Sequence, residues 1–339
     1  MAWRHRTAPQ MEAKAMERLL MAVVVLVGVP AIVGGYIVLV ERLLGLAPER
    51  ARASIRPWLW LAPAFALLAT FLVYPALRTA VLSLYDATST RFVGLANYVY
   101  IFTDKVMLMA LRNNVIWLVF FTPITVTLGL LIAVLADRVP YESAIKAIIF
   151  LPMAISFVAA AVIWRFMYAF QPLGMEQTGT LNALFMAIVP GFQPQTWLTN
   201  PPWNNLALIV VAVWVWAGFC MVVLSAGLKG IPRELIEAAR VDGANEWQVF
   251  RHVTVPMLGP TISVVTTTML IFALKAFDIV YAMTNGNFDT EVIANRMYKE
   301  MFNYRSFGRA SAIAVVLLVA IIPIMVVNIR RFRQQEEMR

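Results

Sequence analysis

Residues 237–256 read EAARVDGANEWQVFRHVTVP, from Glu237 to Pro256, a polar insert between two long apolar segments. Upstream lies Gly230-Ile231-Pro232-Arg233, which predicts a helix with Pro232 at its first position, where a missing N–H costs nothing. That helix runs through Glu237, Ala238 and Ala239 and stops near Asp242-Gly243, a turn dipeptide whose glycine accepts positive φ. A second short helix follows, from Asn245 to about Val253, and Pro256 ends it. Such a pair must lie outside the hydrocarbon, because it carries Glu234, Glu237, Arg240, Asp242, Glu246 and Arg251. Ala238, Ala239, Gly243 and Ala244 leave little side-chain bulk and suit insertion into a cleft on another protein. The competing reading is a solvated loop that happens to be helical. Shape alone leaves both open.

The rest of the chain says what the insert is tethered to. Of its 339 residues 61% are hydrophobic and only 14% charged, and mean hydropathy is +0.74. A soluble domain could not hide that much apolar surface, so a polytopic membrane protein is expected. The net charge of +9 is not a nucleic-acid signal, because the basic residues sit at the ends of apolar segments. That pattern sets topology. The single cysteine, Cys220, lies within a span, which excludes an intrachain disulfide and a cysteine metal site. The two histidines, His5 and His252, have no partner at ligand spacing, so no metal is expected. No GxxxxGK[ST] phosphate loop occurs, so no nucleotide cofactor is expected on this chain. No nucleophile–base–orienter set is visible either, and the protein is not read as an enzyme.

Seven spans are expected. Leu19–Val40 is the first, read as one span and not as a cleaved signal, since no small-residue cleavage site follows. Six more cover residues 58–84, 115–136, 147–170, 206–228, 257–283 and 310–329. The connector 169–205 contains no Lys or Arg and is placed outside, with 181–192 as an interfacial helix. The insert (Lys229, Arg233, Arg240, Arg251) and the tail (Arg330, Arg331, Arg333, Arg339) are placed in the cytoplasm. Counting back puts the N-terminus outside, against its own Arg4, Arg6, Lys14 and Arg18.

Taken together the motifs are specific. Glu-Ala-Ala, Asp-Gly-Ala three residues on, then Phe250 and Pro256, resemble the EAA coupling loop of permease subunits in bacterial ABC importers. Phe92-Val93-Gly94-Leu95-Ala96-Asn97-Tyr98 is similar to the F-x-G-L-x-N-Y stretch after the first core span of sugar permeases. Leu151-Pro152, Thr284-Asn285-Gly286 and Tyr304-Arg305-Ser306-Phe307-Gly308-Arg309-Ala310-Ser311-Ala312 fit the same family, nearest to α-glucoside permeases of the maltose-transporter group. The resemblance spans residues 57–335. It implies that the loop docks into an ATPase dimer, and that a second permease subunit and an extracytoplasmic sugar-binding protein complete the importer. It implies the bacterial inner membrane, with lipid around the spans.

Intramembrane charge is costly, so Lys275 and Asp278 in the sixth span are candidates. Three residues apart, they are read as neighbours on one helix face. Either they neutralise each other structurally, or they bond sugar hydroxyls in a water-filled cavity. Trp216 and Phe219 share a face of the fifth span, with Trp214 pointing elsewhere. The resemblance places those two, and Met153 and Ser156 beside Pro152, at sugar-lining positions; lipid-facing or packing aromatics are the bland alternative. Arg112, Asn113 and Asn114 read as capping and interfacial groups at the outer end of the third span. Gly308, Ala310, Ser311, Ala312 and Ala314 read as close helix packing or a contact with the second permease.

The sequence thus predicts an all-α polytopic membrane helix bundle of about seven spans. Residues 1–56 form a tail, an extra span and a basic connector; residues 57–335 form a six-span core with its coupling loop at 229–256. The expected function is the permease half of an ATP-driven carbohydrate importer. Its rivals are an ion-coupled secondary transporter, which should show internal repeats, and a membrane-embedded glycosyl or lipid transferase, which should show an acidic or histidine cluster near one membrane face.

Overall fold

The computed structural model describes residues 8–46 and 48–337; Arg4, His5, Arg6 and Arg339 lie outside the described residues. Among these the chain is helical, with no β-strand beyond one isolated bridge between Tyr85 and Phe92. Among the described residues five helices are long and apolar enough to cross a membrane, or up to seven if each of two bent pairs is one span. Close packing divides the chain at Leu77/Arg78, inside the helix of the first core span, whereas the sequence reading drew its line before Pro57.

In the first unit, α1 (Ala8–Leu46) carries the extra span, and α2 (Glu49–Leu68) passes through a π-turn, Ala69–Val73, into α3 (Tyr74–Leu82). Its apolar side chains are almost all exposed, as expected of surface that lipid covers.

The second unit is built on two long helices. After α4 (Ala96–Thr103), Asp104 caps α5 (Lys105–Ala136) by accepting from the N–H groups of Val106 and Met107, both at 3.0 Å. α5 packs along α9 (Trp203–Lys229). Their shared core holds Trp117, Phe121, Leu208, Met221 and Leu224, all fully buried. A second core joins α4, the start of α5, α15 (Ile293–Tyr298) and α16 (Phe307–Glu337) around Ile101, Met107 and Ile313. Gly308, Ala310, Ser311 and Ala312 are buried, Gly308 against the backbone of Tyr85 and Asp86, so the small-residue run serves close packing within this chain.

Two expected spans are not continuous helices. The fourth is α6 (Glu142–Phe150), a 3₁₀ turn at Leu151–Ala154, and α7 (Phe157–Met167), bent by 100°. Pro152 withholds an N–H at the turn. Gly218 of α9 has no side chain where the backbone of Ile149 and Phe150 crosses it, which leaves room for the broken end. The sixth is α13 (Gly259–Leu274), an irregular Lys275–Phe277, and α14 (Asp278–Met283). The external helix is α8 (Thr180–Ile188), shorter than expected.

Candidate functional site

The polar insert folds as two helices: α10 (Arg233–Val241) and α11 (Glu246–Val249). Between them, Gly243 takes φ +85° with open space around it. The N–H of Gly243 donates to Arg240 O and that of Ala244 to Ala239 O, both at 3.0 Å. This is the Schellman closure that a left-handed glycine permits. Asn245 and Gln248 then form a reciprocal capping box at 2.9 and 2.8 Å. Arg240 Nε meets Glu246 Oε1 at 2.9 Å, and Arg138 at the end of α5 meets Glu246 Oε2 at 3.6 Å. Exposed pairs of this kind are worth little singly. Here they bridge α10 to α11, and α11 to the turn that follows α5.

One boundary differs from expectation. Pro256 does not end the second helix: winding passes through a π-turn, Phe250–Thr254, and Pro256 enters the first turn of α12 (Val255–Met257). The chain bends by 69° between Met257 and Gly259.

Glu237, Ala238, Asp242, Gly243 and Pro256 are exposed, whereas Ala239, Ala244 and Phe250 are half-buried. Glu237 forms no ion pair among the described residues. Val241 is 87% exposed and Trp247 65%, and Leu235 is exposed as well. Large apolar side chains in water on a charged loop mark a contact surface. Sequence reasoning missed Val241 and Trp247; their signal was apolar bulk inside an otherwise polar segment.

The second site forms where the broken spans meet, with α7 packed on α14. Trp216 and Phe219 stand edge to face with centroids 5.6 Å apart. Phe272 is 4.7 Å from Trp216 and 5.8 Å from Phe157, and Phe157 lies 6.3 Å from Trp216. All four rings are half-buried, so each keeps surface for a ligand. Trp214 turns away, edge-on to Trp164 at 5.8 Å. The indole N–H of Trp216 is buried and has no acceptor. Met153 is half-buried in the 3₁₀ turn, and exposed Ser156 caps α7 by accepting from Ala159 N at 3.2 Å.

Lys275 and Asp278 correct the expectation. The helix stops at Lys275 and resumes at Asp278, so they are not neighbours on one helix face. Both are exposed, and no ion pair joins them.

Asn113 and Asn114 were under-read. They are buried, not interfacial. Asn114 Nδ2 donates to Ala273 O (3.2 Å) and Leu274 O (3.1 Å), capping the broken end of α13, while its Oδ1 accepts from Ile293 N at 2.8 Å. Asn113 donates to Asp289 O and Glu291 O at 2.7 and 2.8 Å. Asn204 and Asn205 of α9 bond Phe288 O and Asp289 O. Together they hold the outer loop, in which Asn285, Gly286, Phe288 and Asp289 all take positive φ.

Among the described residues no group of His, Cys, Asp or Glu could hold a metal ion. The geometry offers docking and stacking surfaces.

Residues 106–333 match the family described as "binding-protein-dependent transport system inner membrane component". The chain belongs to that family. It is thus an inner-membrane transport component, as its motifs implied. The osmoprotective compounds uptake permease protein GgtC of Synechocystis is 57% identical over 281 residues, 83% of this chain and 100% of that protein. The α-glucoside transport system permease protein AglF of Rhizobium meliloti is 49% identical over 282 residues, 83% of each chain. A chain of a bacterial ABC transporter involved in the import of the acidic polysaccharide alginate is similar in fold, with TM-score 0.67 and 27% identity over 83% of this chain and 99% of that one. The alginate transporter in complex with a pentasaccharide-bound periplasmic protein gives TM-score 0.68 at 26% identity, over 83% and 96%.

Proposed function

We propose that this family member is the permease subunit of an ATP-driven importer of α-glucosides or closely related glycosides. The observation that carries the reading is the preformed loop at Arg233–Val249, capped, charged and with exposed apolar side chains, its glycine turn facing open space. The likeness to an α-glucoside permease and an osmoprotectant permease narrows the cargo. Partners would be a second permease, an ABC ATPase dimer and an extracytoplasmic sugar-binding protein; ATP hydrolysis belongs to the ATPase.

The loop enters a cleft on the ATPase, and closure of the ATPase pair moves it. Through Glu246–Arg138 and the buried anchors Ile231, Val249 and Thr254, that movement reaches α5 and α9. The spans alternate between two states, each biased by its ligands. Sugar meets the Trp216, Phe219, Phe157 and Phe272 rings, which take its C–H faces. Ser156, Lys275 and Asp278, exposed at the two breaks, meet its hydroxyls, and Met153 lies in the turn that precedes Ser156.

The test is uptake by proteoliposomes containing both permeases and the ATPase, with a binding protein outside. α-Glucosides should enter only with ATP inside and binding protein present. Uptake driven by an ion gradient without ATP would overturn the reading.

A further inference from the structure

The inner half of the broken fourth span is fastened less by a core than by polar contacts. None of the side chains of α6 is buried, so apolar packing alone leaves it free to shift. It lies along α9 and is tied to it at both ends. Near the break, the backbone of Ile149 and Phe150 crosses Gly218. Nearer the cytoplasm, Lys146 Nζ donates to the hydroxyl of Ser225, a buried residue. At the head of α6, Glu142 Oε1 accepts from Lys146 and, at 2.7 Å, from Lys229 Nζ. Positions 218, 225 and 229 share one face of α9. Glu142 is 23% exposed and Lys146 17%, so water and salt screen this cluster less than a surface pair.

Lys229 is also the last residue of α9, directly before the segment that opens α10. The coupling loop therefore grips the short turn between α5 and α6, residues 137–141, from both sides. Glu246 holds Arg138 at 3.6 Å, and Lys229 holds Glu142, the first residue of α6. The turn has little freedom of its own. The N–H groups of Arg138, Val139 and Glu142 donate to the carbonyls of Leu135, Ala136 and Val139 at 3.3, 3.4 and 3.3 Å, and Pro140 fixes one φ. From Glu142 the helix runs about 13 Å. Its far end is the 3₁₀ turn that holds Met153 and leads to Ser156. We propose that the coupling loop, this turn and α6 move as one lever, with Lys229 and Glu142 as the positioning residues that carry the loop's movement to the break beside Ser156. The lever rests on the importer reading and names the element that joins the ATPase side of the chain to its sugar side.

A route of this kind is established only when both of its ends are seen to respond together. The test uses the assembled importer in proteoliposomes, with radiolabelled maltose, sucrose and trehalose as probes. Lys229 is exposed, so Lys229→Met cuts the link without leaving a buried charge. Sugar imported per ATP hydrolysed should fall about fivefold, the low end of coupling between sites, while assembly with the ATPase is kept. Lys229→Arg retains the charge and should restore the ratio. Nitroxides on cysteines placed at exposed Glu234 and Ile148, in a Cys220→Ser background, report the spacing of loop and α6 and need no sugar. In the parent that spacing should be the same with and without ATP–vanadate; in Lys229→Met it should differ between the two states. Should Lys229→Met fail to assemble, Glu142→Gln/Lys146→Met breaks the same link with no charge stranded on α6 and is read in the same way. An unchanged ratio in the variant, or a parental spacing that changes with nucleotide, would each overturn the lever while ATP-driven uptake by the parent stands. Uptake independent of ATP in the parent would overturn the importer reading and the lever with it.

Discussion

At the scale of single residues, the site at the two breaks rests on aromatic faces and unpaired polar groups. Trp216 touches three other rings and still holds an unsatisfied N–H. Replacing it with Ala removes a stacking face. Trp216→Ala should weaken sugar recognition by about 1–3 kcal/mol, read as a raised half-saturation concentration for uptake while the complex still assembles. Unchanged kinetics across a panel of glycosides would reassign Trp216 to packing. Lys275 and Asp278 invite a sharper experiment. A self-neutralising pair would leave a bare charge in each single variant and recover in the double one. The structure has no such pair, and both groups are exposed at the break. Lys275→Met and Asp278→Leu should therefore affect thermal stability independently, with a coupling below about 0.5 kcal/mol. The double variant should assemble yet import poorly. Strong coupling, or full activity in the double variant, would end their assignment to the sugar site.

At the scale of elements, what the sequence reveals depends on where the cause lies. The coupling loop was legible because its causes are local: Asp242-Gly243 closes one helix and Asn245…Gln248 opens the next. A proline in place of Gly243 cannot take φ +85° and loses the N–H that bonds Arg240 O. Gly243→Pro should leave the protein inserted but abolish both co-purification of the ATPase and uptake; normal transport would remove the docking reading. Spans were legible from hydropathy, which averages over some twenty residues and so passes across a three-residue break. Pro152 did mark the break in the fourth span. Nothing local marks the one at Lys275–Phe277, since no Gly or Pro stands there. Asn114, about 160 residues earlier in the chain, holds that end by taking the carbonyls of Ala273 and Leu274. Its aspect at the sequence level is that of any polar residue near a span end. Asn114→Leu should cost about 1–3 kcal/mol by leaving buried carbonyls unmet. The measurement is thermal unfolding of the assembled complex. An unchanged midpoint would show that the break stands without its cap.

At the scale of the whole molecule, the question is what the extra N-terminal span adds. The first unit buries little of its own apolar surface, so it contributes few contacts to a core. The relative GgtC is matched along its full length by 281 residues of this chain, which leaves 58 of 339 (339 − 281) without a counterpart there. The family match begins later still, at residue 106. The basic residues Arg50, Arg52 and Arg56 lie at the head of α2, the first core span. Positive charges at a span's head hold that end in the cytoplasm. A chain lacking residues 2–48 keeps all three and should insert with its coupling loop still inside. Deleting residues 2–48 should change uptake by less than about twofold, as expected when no group that meets substrate or ATPase is removed. The loop's side is checked by labelling a cysteine placed at exposed Asn245 in a Cys220→Ser background, with reagent that cannot cross the membrane. Labelling from outside would mean that the first span sets the topology; lost uptake with the loop still inside would make that span part of the working importer.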